Sequence, residues 1–470
     1  MKTDMIPTHD LSVGSNQIVR SAILIGIFAA CYLAVLPMAD TIAFRNLALG
    51  LLSVALAWYF LRVRQFHWTA PPLVFSLWAA YLALFPLVAE SHSVAFENLA
   101  GQWGRSVLAM LAGAGVAAVF SRRRLGTTFH LGLLSAIPIL IYLGLFIWKA
   151  WATSSIPWGY WGRETHHADI GYAAGQAVVL LSVAIVAGRK SLRVPAMLII
   201  LTCLASTIFA RSRAGSAFCL VGSALVFGMA YLIRARQHRI VLVAGLAGIF
   251  LVGSLSLALA FKEDPRWRTM ALQLVAGFQG DAIQIQCEGT ASIEADITKK
   301  YAPVGQAQSV IASVRDGDAA RMVVLRASLQ LALKHPWGID GSRQAYQKLL
   351  KQECARPAIL MAHAHNGWID TMLALGWAGA LLYFWVFAYF STQGYSLLRR
   401  EKKLDEWALV LIALSAFWIL RGFTDSVFRD HMLEMQGFVL SYALVRLKLN
   451  AVAVAIAVAD STPDKSKERL

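Results

Sequence analysis

The sequence predicts an all-α polytopic membrane protein with about twelve transmembrane helices and one large loop on the outer side, late in the chain. Three observations predict it. Of 470 residues, 58% are apolar and only 15% charged, and the mean hydropathy is +0.57, which excludes a soluble globule. Apolar runs of about 17 to 25 residues, each long enough to cross roughly 30 Å of hydrocarbon, follow one another along the chain. Basic residues then collect in every second connection. The 43 Lys and Arg against 27 Asp and Glu, a net charge of +16, are therefore read as many short cytoplasmic loops rather than a nucleic-acid surface. Fifteen Trp, 13 Tyr and 23 Phe suit membrane interfaces.

The predicted spans are residues 18–38, 43–61, 69–88, 106–120, 129–148, 170–188, 194–210, 214–232, 240–261, 369–390, 407–420 and 435–454. Arg62 with Arg64, Arg122 to Arg124, Arg189 with Lys190 and Arg193, Arg234 with Arg236 and Arg239, and Arg399 with Arg400, Lys402 and Lys403 orient them by the positive-inside rule. Both termini then face the cytoplasm. The expected organisation is residues 1–261 carrying spans one to nine, 262–366 forming the large outer loop, 367–458 carrying spans ten to twelve, and 459–470 a polar cytoplasmic tail. The first run is taken as retained. Cys31 after Ala29 and Ala30 faintly resembles a lipoprotein cleavage box, but a buried Cys inside a span explains it.

A connection of about a hundred residues is far longer than the usual loop and points to function. It contains Trp267, Trp337 and one amphipathic pattern: Asp318 as N-cap, Met322, Leu325, Leu329, Ala332 and Leu333 on one face, and Pro336 as the stop.

Chemistry-bearing residues gather at the outer side. The tight hairpin between the seventh and eighth spans reads Arg211-Ser212-Arg213. Positive charge there is disfavoured, at about 2.5 to 3.5 kcal/mol per residue at membrane depth, so two arginines call for a partner. Guanidinium forks match phosphate oxygens, and the helix starting at Ala214 adds amides pointing the same way. The alternative is snorkelling to lipid phosphates. Arg321, in the first turn of the amphipathic helix, lies at an end where the helix dipole already favours an anion; its plainer reading is a solvated helix face. Asp316-Gly317-Asp318 matches an Asp-x-Asp metal pattern, although a turn followed by an N-cap accounts for both carboxylates. His363-Ala364-His365-Asn366 closes the loop. A spacing of two does not put both rings on one helix face, so a helical zinc pair is excluded, whereas one interfacial imidazole suits a general base for a hydroxyl. Weaker candidates are His166 and His167 with Glu164, and Asp425, Arg429, Asp430 and His431. No Walker or Rossmann glycine loop is present, so nucleotide chemistry is unsupported.

Three pieces together, Ser212-Arg213-Ala214, Arg321 followed by Lys334-His335-Pro336-Trp337-Gly338-Ile339-Asp340-Gly341, and His363-Ala364-His365-Asn366-Gly367-Trp368 leading into Gly376-Trp377-Ala378-Gly379, resemble the O-antigen ligase family. O-antigen polymerases and bacterial protein O-oligosaccharyltransferases are related to it. The resemblance implies a GT-C-like membrane glycosyltransferase of the bacterial inner membrane with a periplasmic active site, independent of metal and cofactor. It implies an undecaprenyl-diphosphate-linked O-antigen donor and a sugar hydroxyl of lipid A core as acceptor, among membrane lipids and without nucleic acid. Arg213 and Arg321, supported by Arg211, would neutralise the leaving diphosphate, and His365 would take the acceptor proton, with His363, Asn366 and Arg429 as possible support. Arg211 and Asp340 depart from the usual pattern and leave open which of Arg211 and Arg213 is the main clamp. A polymerase, or a flippase without chemistry, are the rival readings. Candidate residues clustered at one outer edge favour an enzyme over a conduit. Of five cysteines, Cys287 and Cys354 alone lie outside the spans, and an oxidising periplasm would favour a disulfide between them over two separate thiols.

Overall fold

The structure is a computed structural model that describes residues 15–38, 41–63, 72–121, 126–160, 167–233, 239–263, 266–401 and 404–461. Among the residues singled out above, Arg64, Arg122 to Arg124, Glu164, His166, Arg234, Arg236, Lys402, Lys403 and most of the tail lie outside those ranges. The regular secondary structure of the described residues is all helical, without strands. The chain first forms α1 (Ser15–Val35), α2 (Ile42–Val63), α3 (Leu73–Leu84), α4 (His92–Asn98), α5 (Arg105–Phe120), α6 (Thr128–Thr153), α7 (His167–Ala187), α8 (Arg193–Phe209), α9 (Arg213–Ile233) and α10 (Arg239–Glu263). Six shorter helices fill the long connection: α11 (Arg266–Ala276), α12 (Ala282–Glu288), α13 (Ala291–Tyr301), α14 (Ala307–Asp316), α15 (Asp318–Lys334) and α16 (Ala345–Glu353). The chain then completes the bundle with α17 (Gly367–Glu401), α18 (Glu406–Thr424) and α19 (Asp430–Ser461).

This is an all-α polytopic membrane bundle. Each predicted span falls on a helix, and eight segments among the described residues are long and apolar enough to cross a membrane, with Val19–Val35, Leu73–Leu87 and Gly245–Leu255 as shorter apolar helices. The twelfth, α19, is long, but Glu434, Arg446 and Lys448 dilute its apolar run. The fourth span extends further than its hydropathy suggests, over His92–Phe120, because a π-helical turn at Leu99–Gly104 carries the helix through the polar residues before Ser106. α7 is the central helix, packed by α6, α8, α9 and α18. Mostly apolar and rich in Ala, it is buried on nearly every side, its polar Asp169, Gln176 and Ser182 included.

The long connection has its own core, in which α15 packs on α11, α12, α14 and α17. Two expectations for α15 are corrected. Of the expected face Ala332 is buried and Met322 and Leu325 are half-buried, but Leu329 and Leu333 are exposed, and the buried stripe adds Ala320, Val323, Val324, Ala327 and Leu331. The helix is apolar around most of its circumference, and the smaller side chains permit closer packing against the neighbouring helices. The N-cap is Gly317, with Asp318 already inside the first turn. A disulfide joins Cys287 to Cys354, with Cα atoms 5.8 Å apart, and beside it the Ile359 amide donates to the Gln286 carbonyl at 3.0 Å.

The segment from Pro336 to Gly341 straps this region to a break in α17. Trp377 donates its amide to the Pro336 carbonyl at 2.9 Å, and Gly341 donates to Ala374 at 2.9 Å. Gly338 and Gly376 have φ of 71° and 74°, and a Cβ on Gly338 would fall 2.3 Å from the Gly376 nitrogen. Both positions need glycine for the left-handed backbone and for the close approach of the two chains.

Candidate active site

Hairpin, long connection and α17–α19 meet at one end of the bundle. The turn after α8 brings Arg213 to the start of α9, where Gly215 passes so close to α7 that a Cβ on it would lie 2.7 Å from the Gly171 Cα. α15 presents Arg321 one turn in from its start, and the segment before α17 presents His365. These three residues line one cavity of about 460 Å³, together with Gln273, Ser309, Ser313, Asp316, Asp318 and Met361. Residues separated widely in sequence thus converge on a polar site of ligand size.

The two arginines differ in how they are held. Arg213 forms a bidentate pair with Asp318, Nη1 to Oδ2 at 2.9 Å and Nη2 to Oδ1 at 2.8 Å. Both oxygens of Asp318 are engaged by this fork, which accounts for the carboxylate better than capping or a metal ligand does. Arg321 is exposed on the cavity wall, and among the described residues no carboxylate forms an ion pair with it. Arg211 turns elsewhere. Its backbone is left-handed, with φ 53°, and its aliphatic stem packs over Gly159, whose Cβ would lie 3.4 Å from the Arg211 Cδ.

The histidines also separate. The rings of His363 and His365 lie 4.2 Å apart. His363 Nδ1 is 2.8 Å from the Ser426 hydroxyl, and burial first, then Arg429 and His365, pushes its pKa down to about 3. It is neutral at physiological pH and a weak base. His365 faces the cavity with Nδ1 3.9 Å from Asp425 Oδ1, in a left-handed backbone of φ 52°. Burial raises the Asp425 carboxyl, but Arg421, a hydrogen bond from Tyr172 and His365 outweigh it and hold it at about 2. An ionised carboxylate beside Nδ1 favours a proton there and leaves Nε2 as the basic nitrogen. Asn366 is engaged in local structure. Its side chain accepts from the Ile369 amide at 3.0 Å and donates to the Phe423 carbonyl at 3.1 Å, capping α17 and pinning the last turn of α18.

Residues 198–384 match the family model described as O-Antigen ligase. That segment is similar to the O-antigen ligase family. No curated protein matches it. The ligase match runs from α8 into α17, so it contains Arg211, Arg213, Arg321, His363 and His365 but stops short of the turn that carries Asp425 and Arg429.

Outside the matched segment, residues of α7 and α18 that sequence reasoning did not single out border the cavity's His365 side. Arg421 is 1% exposed; its Nη2 lies 3.4 Å from Asp425 Oδ2, and its guanidinium sits 4.8 Å from the Tyr172 ring centroid. An arginine at the end of an apolar run was the available signal, since such a charge needs a partner. The weaker candidates disperse: His431 lies 3.5 Å from Asp169, Asp430 pairs with Arg343 at 3.0 Å, and Arg429 stands near His363 with its Nε buried and without a hydrogen-bond partner. Asp340, in the glycine strap, pairs with Lys348.

Proposed function

We propose that this protein transfers O-antigen polysaccharide from undecaprenyl diphosphate to a sugar hydroxyl of lipid A core, at the periplasmic face of the bacterial inner membrane. The observation that carries the reading is the convergence of Arg213, Arg321 and His365 on one cavity. The acceptor hydroxyl attacks the anomeric carbon of the donor's first sugar, its proton passes to Nε2 of His365, and the bond to the diphosphate breaks. Arg321 takes phosphate oxygens directly. Arg213, oriented by Asp318, adds charge where the leaving group becomes more negative. Asp425 steadies the His365 imidazolium as it forms. The reaction as drawn uses no metal and no cofactor. In this reading residues 1–261 and 367–458 form the membrane bundle, 262–366 the periplasmic region, and 459–470 a cytoplasmic tail.

The lipopolysaccharide gel ladder of a deletion strain tests it. Loss of polymer on lipid A while lipid-linked polymer accumulates is the expected result. Retention of single-repeat caps would make the protein a polymerase, and a normal ladder with loss of glycan from a protein acceptor would make it a protein O-oligosaccharyltransferase. Failure of lipid-linked glycan to reach the outer face would make it a flippase.

A further inference from the structure

We propose that the end of the bundle opposite the candidate active site holds a second anion site, for a phosphate ester such as a phospholipid headgroup. α18 runs from Glu406 to Thr424, so its two ends lie about 27 Å apart at 1.5 Å per residue. Asp425 follows one end. At the other, a cavity of about 420 Å³ opens between the starts of α6 and α18 and the end of α7, and Arg189, Arg446 and Glu406 are its charged lining residues.

Arg446 carries the inference. It projects from α19 and is 7% exposed. Its Nη1 donates to the Phe120 carbonyl at 2.7 Å, and its guanidinium lies 5.3 Å from the Trp407 ring centroid. The Nε is buried without a hydrogen-bond partner, and among the described residues no carboxylate lies within ion-pair distance of this guanidinium. Glu406, the one acidic group of the cavity, instead accepts from the Thr128 hydroxyl at 3.2 Å. Glu406 acts on Arg446 only from beyond ion-pair distance and also faces Arg189, so this buried guanidinium is under-compensated, a costly state that a bound anion relieves.

The rest of the lining suits such a ligand. Arg189 supplies a second fork, and the first turn of α6 at Thr128 points the positive end of its dipole the same way. One phosphodiester charge balances two guanidiniums against one carboxylate. Phe129, Ala184 and Leu192 give an apolar wall for the glycerol and upper acyl chain, and Glu406 would accept from a headgroup hydroxyl or ammonium. The inference rests on the membrane fold and is independent of the transfer reaction.

The test is native mass spectrometry of the full-length protein, delipidated in detergent and titrated with phosphatidylglycerol or, separately, with inorganic phosphate. Wild type is expected to retain one equivalent, with Arg446→Gln about tenfold weaker, the loss of one charge-assisted contact. Arg189→Gln, at an exposed position, should weaken it as well. Lipid retention identifies a headgroup site, and phosphate binding without lipid retention identifies a free-anion site; either sustains the proposal. Equal retention by wild type and both variants, or binding of neither probe, overturns it.

Discussion

Arg421 and Arg446 are both buried at the ends of membrane helices, 1% and 7% exposed, yet the protein provides for them differently. Arg421 reaches Asp425 and lies over the rings of Tyr172 and Phe218. Arg446 has a carbonyl, the Tyr442 hydroxyl and one ring, with Glu406 acting on it only from beyond ion-pair distance. The site end balances most of its charges within the chain, through Arg421 with Asp425, Arg213 with Asp318 and Arg343 with Asp430, and leaves Arg321 facing the cavity. The opposite end leaves a net cation at its cavity. In the proposed reading, one region holds groups still for chemistry and the other receives a charge from outside.

The largest test of that contrast is His365→Ala, which should lower turnover by about a thousandfold, within the range for loss of a general base, while donor binding survives. His363→Ala should do far less, since a base held near pKa 3 takes little part at neutral pH. A dead His363→Ala with an active His365→Ala would reverse the assignment. A loss of turnover in Arg446→Gln equal to that in His365→Ala would erase the distinction between the two ends.

Next come the arginines. Arg321→Ala and Arg213→Ala should each cut transfer by about a hundredfold or more with normal membrane levels of protein, and Lys should rescue poorly because a point charge lacks the fork. Arg211→Ala, packed over Gly159, should be milder. Full activity in Arg321→Ala would refute the diphosphate clamp, and a strict requirement for a divalent ion in a chelator titration would return Asp316 and Asp318 to a metal role.

The disulfide extends the comparison from charges to covalent restraint. Removing Cys287 or Cys354 should destabilise the 262–366 region by on the order of 4 kcal/mol in the chain-entropy model, less any strain. Thiol labelling of denatured protein should modify both cysteines only after reduction. Labelling of both without reductant would mean that packing alone holds the region.

The smallest expected effect is on pH stability. The ordinary His pKa is about 6.5, and His363 in the folded protein is near 3. The unfolded chain therefore binds the extra proton first as pH falls below 6.5. Stability should drop by about 2 kcal/mol between pH 7 and pH 5 from this group, and His363→Asn should flatten that part of a melting-temperature profile. An unchanged slope in the variant would place the acid sensitivity elsewhere.

Hydropathy and charge are local properties, so the sequence by itself determined the helical bundle, the positions of its twelve apolar stretches and the long connection before α17. It also determined the residue types that carry the proposed chemistry, because Arg213, Arg321 and His365 stand out where charge is expensive or a neutral base is useful. Pairing across the fold was decided only by tertiary structure. Arg213 and Asp318 are 105 residues apart, and nothing in either neighbourhood marks the other as its partner. The same holds for Asp425 beside His365 and for Gly338 against Gly376. On α15, apolar residues occupy more than one stripe, and the buried one was chosen by the helices that pack on it, because close packing rewards shape that periodicity does not encode.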